Sequence, residues 1–204
     1  MRVTCKICRR LGLSVCGREK CAFRRKPYPP GEHGRSAKFA KRPSEYGQQL
    51  REKQKLKFLY NLREVQFRNY VEEAERRSGE SAENLISLLE ARLDNAVFRL
   101  GFFPSRAQAR QAVSHGHFLV NGRKVTIPSL RIRRGDKISI RPQSLGKGIF
   151  RDLDIYLKKY NPPAWLSLDK DKKEGEVLGA PSLAADPALA SNINLKAIVE
   201  FYSR

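Results

Sequence analysis

The apolar residues in the first half of the chain recur every three or four positions, which is the spacing of amphipathic helices. We expect one helix from Glu45, behind the N-cap residue Ser44, and a second helix over residues 62–77. A third helix is expected from Ser81, because one apolar stripe continues as far as Leu100. That stripe consists of Leu85, Ile86, Leu89, Leu93, Ala96, Val97 and Leu100.

A short helix with two arginines follows this stripe. Ser105 and Gln108 have the spacing of a capping box, so the sequence predicts a helix from Arg106 to about Ser114. Arg106 and Arg110 lie one turn apart on it, and we expect both to face outward because small apolar residues occupy another side.

The pattern then changes from helical spacing to strands. The dipeptide Asn121-Gly122 separates the apolar run 118–120 from residues 123–127, and it is a strong signal for a type I′ hairpin turn. Residues 137–141 alternate between polar and apolar side chains, which predicts a further strand. We also expect a terminal strand over residues 198–202.

The charge of the chain indicates an anionic partner. The 204 residues include 41 Lys and Arg against 21 Asp and Glu, a net charge of +20. Residues 1–63 hold 18 Lys and Arg against 4 acids, and residues 92–151 hold 13 against 2. Two separate basic blocks suggest two contact zones on one polyanion. We expect neither a membrane span nor a secretory signal, because the necessary apolar stretches are missing.

All four cysteines lie close together near the start of the chain. They are Cys5, Cys8, Cys16 and Cys21, in the pattern C-x2-C-x7-C-x4-C. Two pairs of thiolates can surround one tetrahedral zinc ion, and a site filled by four protein ligands is structural. An iron–sulfur cluster and two disulfides are the alternatives, because both would use the same residues.

No recognisable catalytic motif occurs in the sequence. The dinucleotide, serine-hydrolase and zinc-protease motifs are missing, and His33, His115 and His117 all lie in or beside predicted turns. We therefore expect a protein that is not an enzyme. An RNA-modifying enzyme would need a catalytic domain larger than the remaining residues 152–204 allow. A zinc-ribbon DNA-binding regulator would need a recognition helix and dimer symmetry, and the sequence indicates neither.

Two groups of motifs indicate a family resemblance. The first group consists of Arg92-Leu93-Asp94-Asn95, Ala109-Arg110-Gln111, His115-Gly116-His117 and Val120-Asn121-Gly122. It resembles the small RNA-binding domain of the bacterial ribosomal protein S-four family. The flanking motifs are Tyr28-Pro29-Pro30-Gly31-Glu32-His33-Gly34, Gln66-Phe67-Arg68-Asn69-Tyr70 and Ile198-Val199-Glu200-Phe201-Tyr202. The small domain also occurs in pseudouridine synthases and tRNA synthetases, but the flanking motifs resemble the full-length ribosomal protein.

Together, the pattern and the resemblance predict an α+β protein. It would have a mostly helical first domain with an N-terminal zinc knot, and a small helix–helix–β-hairpin RNA-binding domain. The predicted parts are a zinc knot and basic arm over 1–43, helices over 44–91, the small RNA-binding domain over 92–150, and a C-terminal segment over 151–204 that returns to the first domain.

The resemblance implies a structural constituent of the small ribosomal subunit, located in the cytoplasm. Such a protein binds the 5′ domain of 16S rRNA early, nucleates subunit assembly and contributes to translational accuracy near the mRNA entrance. The implied partners are 16S rRNA, neighbouring small-subunit ribosomal proteins and mRNA at the entrance channel, with no membrane and no obligate homo-oligomer. Some family members bind zinc through four N-terminal cysteines, and the cysteines here fit that site with a shorter middle loop.

We expect the RNA contacts to come from both basic blocks and to go mainly to phosphate and 2′-hydroxyl groups. The candidates in the first block are Arg9, Arg10, Arg24, Arg25, Lys26, Lys53 and Lys57. The candidates in the second block are Arg92, Arg106, Arg110, His115, His117, Arg123 and Lys124.

Overall fold

The computed structural model describes residues 3–18, 20–34, 43–181 and 191–203. The chain divides into two compact units. The first unit consists of Met1–Leu85 and Pro187–Arg204, and the second unit consists of Ile86–Asp186. Most of the predicted basic arm lies outside the described residues. Within the described residues, no helix is long and apolar enough to cross a membrane.

The structure confirms the α+β class, since helices fill the first unit and the second unit combines helices with a sheet. The helices are α1 (Cys5–Leu11), α2 (Ala22–Arg25), α3 (Glu45–Leu59), α4 (Glu64–Arg76), α5 (Ser81–Glu90), α6 (Leu93–Arg99), α7 (Arg106–Ser114), α8 (Pro142–Leu145), α9 (Leu153–Lys159) and α10 (Leu195–Tyr202). The strands are β1 (Phe118–Val120), β2 (Arg123–Val125), β3 (Lys137–Ile140), β4 (Leu166–Asp169) and β5 (Glu174–Val177).

Helices α3 and α4 of the first unit form where the sequence predicts them. The Ser44 hydroxyl accepts a hydrogen bond from the backbone N–H of Gly47 at 3.2 Å, which caps α3. Helix α4 buries Phe67, Val71 and Ala74, the spacing of one helical face. The local signals were therefore sufficient for these two helices.

The C-terminal helix α10 packs against α3 and α4. The strand predicted over 198–202 is therefore wrong. The Asn194 side chain caps the helix by accepting a hydrogen bond from the Ala197 N–H at 3.2 Å. Leu195 and Ile198, three positions apart, are the buried residues of α10. An apolar run this short fits a strand or a helix equally well, and packing decides between them.

The single helix predicted over residues 81–100 is also wrong, because the structure divides it at Arg92. This residue has an extended backbone (φ −75°, ψ 140°) and forms an isolated β-bridge with Arg131. The next N–H, of Leu93, donates to the carbonyl of Leu130 at 2.8 Å. The apolar stripe continues across the break, so the periodicity alone did not reveal it.

The second unit contains a five-stranded antiparallel sheet in the order β2-β1-β3-β5-β4. The predicted hairpin turn is confirmed, since Asn121 (φ 51°) and Gly122 (φ 76°) both have the positive φ of a type I′ turn. Phe118 and Ile138 are fully buried from this sheet. They belong to one core cluster with side chains of α6, α7 and α9, so the sheet and helices share a core.

Residues 151–204, which were predicted as one segment, are divided between the two units. Helix α9 and strands β4 and β5 lie in the second unit, and only the last part of the segment belongs to the first. Strand β5 pairs with β3, with Gly175 opposite Ile138. A Cβ atom on Gly175 would lie 2.5 Å from the Leu100 side chain, so a larger residue here would force Leu100 to shift.

Candidate functional site

The four cysteines gather around the first two helices. Cys5 and Cys8 are on α1, which ends at Gly12 in a left-handed conformation (φ 69°). The Sγ atoms of Cys5, Cys16 and Cys21 lie within 4.8 Å of one another. Cys8 is fully buried and hydrogen-bonds with Cys16. The turn after α1 thus brings the third and fourth cysteines back to the first two.

The local environment sets different pKa values for two of these thiols. Burial raises the pKa of Cys8 to about 12, and its hydrogen bond with Cys16 acts in the same direction. Burial also acts to raise the pKa of Cys21, but hydrogen bonds from the Ser14 side chain and the Phe23 backbone outweigh it and lower the pKa to about 7. Cys21 is therefore the thiol that ionises more readily of the two.

All four thiols are donors that suit a tetrahedral metal site, and three of them, Cys5, Cys16 and Cys21, also have the spacing for one. All four cysteines are free thiols in the structure, which leaves each of them available as a metal donor. Zinc–sulfur bonds of about 2.3 Å place the four sulfur atoms of a tetrahedron about 3.8 Å apart. The three sulfur atoms within 4.8 Å of one another need only a small contraction to reach that geometry.

Exposed cations adjoin the cysteine cluster. Those among the predicted RNA contacts are Arg10, Arg24, Arg25 and Lys26, which we call the first basic surface, and Lys6, Arg18 and Lys20 are exposed there as well. The Arg9 side chain instead contacts the loop after α2. Its guanidinium donates to the carbonyl oxygens of Tyr28 at 2.9 Å and Pro29 at 3.0 Å. It also lies 4.8 Å from the centroid of the Tyr28 ring. Arg9 therefore fixes the loop after α2.

Two lysines predicted to contact RNA are inside the first unit. Lys53 and Lys57 are 5% and 8% exposed. Both bond to Glu64, with a Lys57 Nζ to Oε2 distance of 2.7 Å, and the Tyr202 hydroxyl donates to the same carboxylate at 2.8 Å. Burial acts to raise the pKa of Glu64, but hydrogen bonds from Lys53, Lys57 and Tyr202 lower it to about 2. These lysines hold α3, α4 and α10 together instead of facing outward.

The arginine of the interrupted helix is also inside. Arg92 is 1% exposed and makes a two-pronged ion pair with Asp94, with N–O distances of 3.0 and 2.7 Å. Arg110 reaches the same carboxylate at 3.2 Å. Asp94 therefore holds one arginine from the break between α5 and α6 and one from α7.

A second carboxylate, that of Glu90, binds Arg99 and Arg106. Glu90 accepts hydrogen bonds from Arg99 at 2.8 and 2.9 Å. The Nη2 atom of Arg106 lies 3.6 Å from Glu90, and its Nε donates to Asn95 Oδ1 at 2.8 Å. The Arg106 guanidinium also lies 4.5 Å from the Phe98 ring centroid.

This network corrects the expectation that the arginines of α7 face outward. The side chains of Arg106 and Arg110 are only 14% and 29% exposed. Their partners, Glu90 and Asp94, were not predicted from the sequence. The available signal was that Asp94 is one of only two acidic residues among residues 92–151.

The two histidines after α7 have different surroundings. His115 is exposed. His117 is 6% exposed, and its Nδ1 lies 3.0 Å from the Ser144 hydroxyl. Burial lowers the pKa of His117, and the nearby Lys147 adds to that effect. His115 therefore lies where it can meet a ligand, whereas His117 is part of the interior.

The β1–β2 hairpin carries cations that face solvent. Arg123 and Lys124 are exposed on β2, an edge strand of the sheet. The neighbouring turn adds exposed Arg133, Arg134 and Lys137, which the sequence analysis did not select although they form a basic run. The two turns are joined, since the Asn121 N–H donates to the Lys137 carbonyl at 2.9 Å. We call these five cations the hairpin surface.

Comparison with known proteins accounts for most of the chain. Residues 2–90 match the family model "Ribosomal protein S4/S9 N-terminal domain", and residues 91–138 match the "S4 domain". Curated relatives named "Small ribosomal subunit protein uS4" include those of Syntrophomonas wolfei, 46% identical over 206 residues, and Thermus thermophilus, 45% identical over 206 residues. Both alignments cover 98% of this chain and 96% of the relative. The chain therefore belongs to the ribosomal protein uS4 family.

Proposed function

We propose that the protein is a structural, non-enzymatic component of the small ribosomal subunit, and that it binds ribosomal RNA through the first basic surface and the hairpin surface. The exposure of these cations carries the proposal, because cations that face solvent are available to phosphate groups. The relatives' name supports the ribosomal location. Arg92, Lys53, Lys57 and His117 are not among the proposed contacts, because each is buried.

The two units would then have different roles in binding. Residues 92–150 would form the small RNA-binding domain, with Arg123, Lys124 and His115 at its surface. Residues 1–43 would contribute the zinc knot and basic arm, supported by the helices over 44–91 and by α10. Two contact zones on one folded RNA would give shape selectivity, because RNA helices are recognised largely by shape, phosphates and 2′-hydroxyl groups.

We infer that the bound RNA is the 5′ domain of 16S rRNA and that binding nucleates subunit assembly in the cytoplasm. The protein would then lie near the mRNA entrance beside other small-subunit proteins, where it would contribute to translational accuracy. The similarity of the chain to uS4 proteins over nearly its full length supports this placement.

Binding selectivity tests the proposed function. The purified full chain is titrated against a 5′-domain fragment of small-subunit rRNA, with tRNA and duplex DNA as controls, over a series of salt concentrations. We expect a preference for the rRNA fragment that persists at high salt, because shape complementarity does not depend on counterion release. Equal binding to all three nucleic acids, lost together as salt rises, would contradict the proposal.

We also propose that Cys5, Cys8, Cys16 and Cys21 bind one structural zinc ion. When bound, zinc would cross-link α1 to the chain that leads into α2 and would offset the small apolar area of this segment. Four thiolates leave no position for a water molecule or a substrate, which argues against a catalytic role. The exposed cations nearby would offset the net negative charge of a centre with four thiolates.

Metal analysis distinguishes the alternatives for the cysteine cluster. Protein purified without chelator should contain one zinc per chain, and Cys16→Ser should lose it. Lys6→Ala is the matched control, because Lys6 is exposed on α1 and offers no ligand. Iron with acid-labile sulfide would instead indicate an iron–sulfur cluster, and protein without metal would contradict a metal site.

A further inference from the structure

A cavity of about 410 Å³ opens in the second unit between the residues before α7, α7 itself and α9. This volume is within the range of pockets for small organic groups, about 300–1,000 Å³. Phe102, Phe103, Pro104 and Tyr156 contribute ring surfaces to its lining. The cavity belongs to neither of the two surfaces defined above, and the contacts described so far leave it without a role.

The aromatic lining combines a fixed wall with an exposed rim. Phe103 is held from behind by the rings of Phe118 and Phe150, with centroid distances of 6.2 and 5.6 Å. Tyr156, on α9, is 55% exposed although its side chain lines the cavity. A flat aromatic face at the mouth of a pocket is suited to stacking against a planar partner.

Hydrogen-bonding groups surround this mouth. Gln108 and Gln111 are exposed on α7, and His115 adds an imidazole. The Gln108 Oε1 atom accepts a hydrogen bond from the Ser105 hydroxyl at 3.2 Å, so this residue would offer its amide N–H groups to a base. Asp152 is the acidic residue of the lining. These groups supply both donors and acceptors, as the edge of a nucleobase requires, whereas an aliphatic side chain would use none of them.

Cations lie close to the same cavity. The Lys124 side chain crosses Gly116, where a Cβ atom would lie 2.5 Å from its Cε, so the ammonium group is beside the loop that carries His115. Lys147 and Arg141 are close enough to the buried lining residue His117 to lower its pKa, together with burial. An apolar cavity lined by flat rings and lying next to positive charge is complementary to a nucleotide, whose base is flat and whose phosphate is anionic.

We propose that this cavity takes an unstacked nucleobase of the bound RNA, with the Tyr156 ring stacking on the base and the amides of Gln108 and Gln111 bonding to its edge. The inference rests on the proposed RNA-binding function and adds a base-specific contact to it. An apolar side chain from a neighbouring protein is the competing occupant, and the amides at the mouth and the cations nearby favour the base.

Substitution of Tyr156 tests this contact in the full chain. Tyr156→Ala should weaken binding to the 5′-domain rRNA fragment by about 5- to 150-fold, the range for loss of one base–aromatic stack. The slope of log affinity against log salt should stay unchanged, because no phosphate contact is removed. Tyr156→Phe keeps the ring and should bind like the wild type. Ile155→Ala is the matched control, since Ile155 is 70% exposed on the same helix and does not line the cavity.

Base-specific chemical probing gives a second measurement at saturating protein. One unpaired base should be protected in the wild-type complex and become reactive in the Tyr156→Ala complex. If the wild type binds the fragment but Tyr156→Ala matches it in affinity and protection, the base pocket is overturned while the proposed function stands. If Tyr156→Phe is as weak as Tyr156→Ala, or if the salt slope falls, stacking is likewise overturned. If the wild type shows no preference for the fragment, both proposals fail.

Discussion

Two lysines of α3 and the two cations of the β1–β2 hairpin look equivalent in the sequence but have opposite surroundings. Lys53 and Lys57 are buried and share Glu64. Arg123 and Lys124 are exposed on an edge strand, where cations also disfavour pairing with another chain. Burial beside a carboxylate removes a cation from the surface, and the sequence alone does not show which cations are held in this way.

The same contrast occurs within the second unit. Arg92, Arg106 and Arg110 bond to Asp94 or Glu90, whereas the hairpin surface faces solvent. We therefore assign the paired cations to stability and the exposed cations to RNA binding. Substitution of a paired cation should therefore lower stability, whereas substitution of an exposed cation should weaken RNA binding.

The largest expected effect on stability is at Arg92. Arg92→Ala leaves the Asp94 carboxylate buried without its two-pronged partner, which should lower the free energy of unfolding by about 3–5 kcal/mol. Arg123→Ala is the matched control. Because Arg123 is exposed, its substitution should change the free energy of unfolding by about 0.5 kcal/mol or less. Urea unfolding measures both. Equal stability of the two variants would remove the distinction between paired and exposed cations.

A smaller effect is expected from protonation of Glu64. Its pKa falls from 4.5 to about 2 in the folded chain, so its contribution to stability is complete above about pH 4.5 and is lost as the pH falls towards 2. The contribution should be on the order of 1 kcal/mol, because nearly half of the side chain is exposed and water screens the ion pairs.

Thermal unfolding over a pH series tests this contribution. Glu64→Gln should flatten the loss of stability between pH 4.5 and about 2, whereas Glu72→Gln, which removes an exposed ion pair with Arg68, should retain the wild-type profile. If Glu64→Gln follows the wild-type pH profile, the Lys53 and Lys57 pairs do not contribute as described.

The smallest effect on stability is expected at the first basic surface. Replacing Arg24, Arg25 and Lys26 together by Ala should leave unfolding nearly unchanged, because all three are exposed. The slope of log affinity for the rRNA fragment against log salt should fall by about 0.7–0.9 for each phosphate contact removed. Arg68→Ala, an exposed cation on the acidic helix α4, should leave the slope unchanged. If the triple variant and Arg68→Ala have the same slope, these residues do not contact phosphate.

Local signals were enough to predict much of the secondary structure. The Ser44 cap, the buried face of α4 and the type I′ turn at Asn121-Gly122 each depend on residues a few positions apart. The break at Arg92 and the pairing of β5 with β3 depend on partners about 40 residues away in sequence. No periodicity encodes such a partner, so these features required the folded chain.

Some features of the candidate site were likewise predictable from the sequence, and others were not. The cysteine spacing indicated a cluster, and the structure brings three of the sulfur atoms within 4.8 Å. The basic blocks were also evident from the sequence. What the sequence did not reveal was which cations are neutralised internally, because Glu64 is separated in sequence from Lys53 and Lys57, and Glu90 from Arg99 and Arg106.

The most direct test of the central claim is the salt dependence of binding to the 5′-domain rRNA fragment, compared between the wild type and Arg123→Ala with Lys124→Ala. We expect the double variant to have an unchanged free energy of unfolding and a log–log slope reduced by about 0.7–0.9 per lost contact. An unchanged slope and affinity would contradict the claim, because the exposed cations of the hairpin would then have no part in binding RNA.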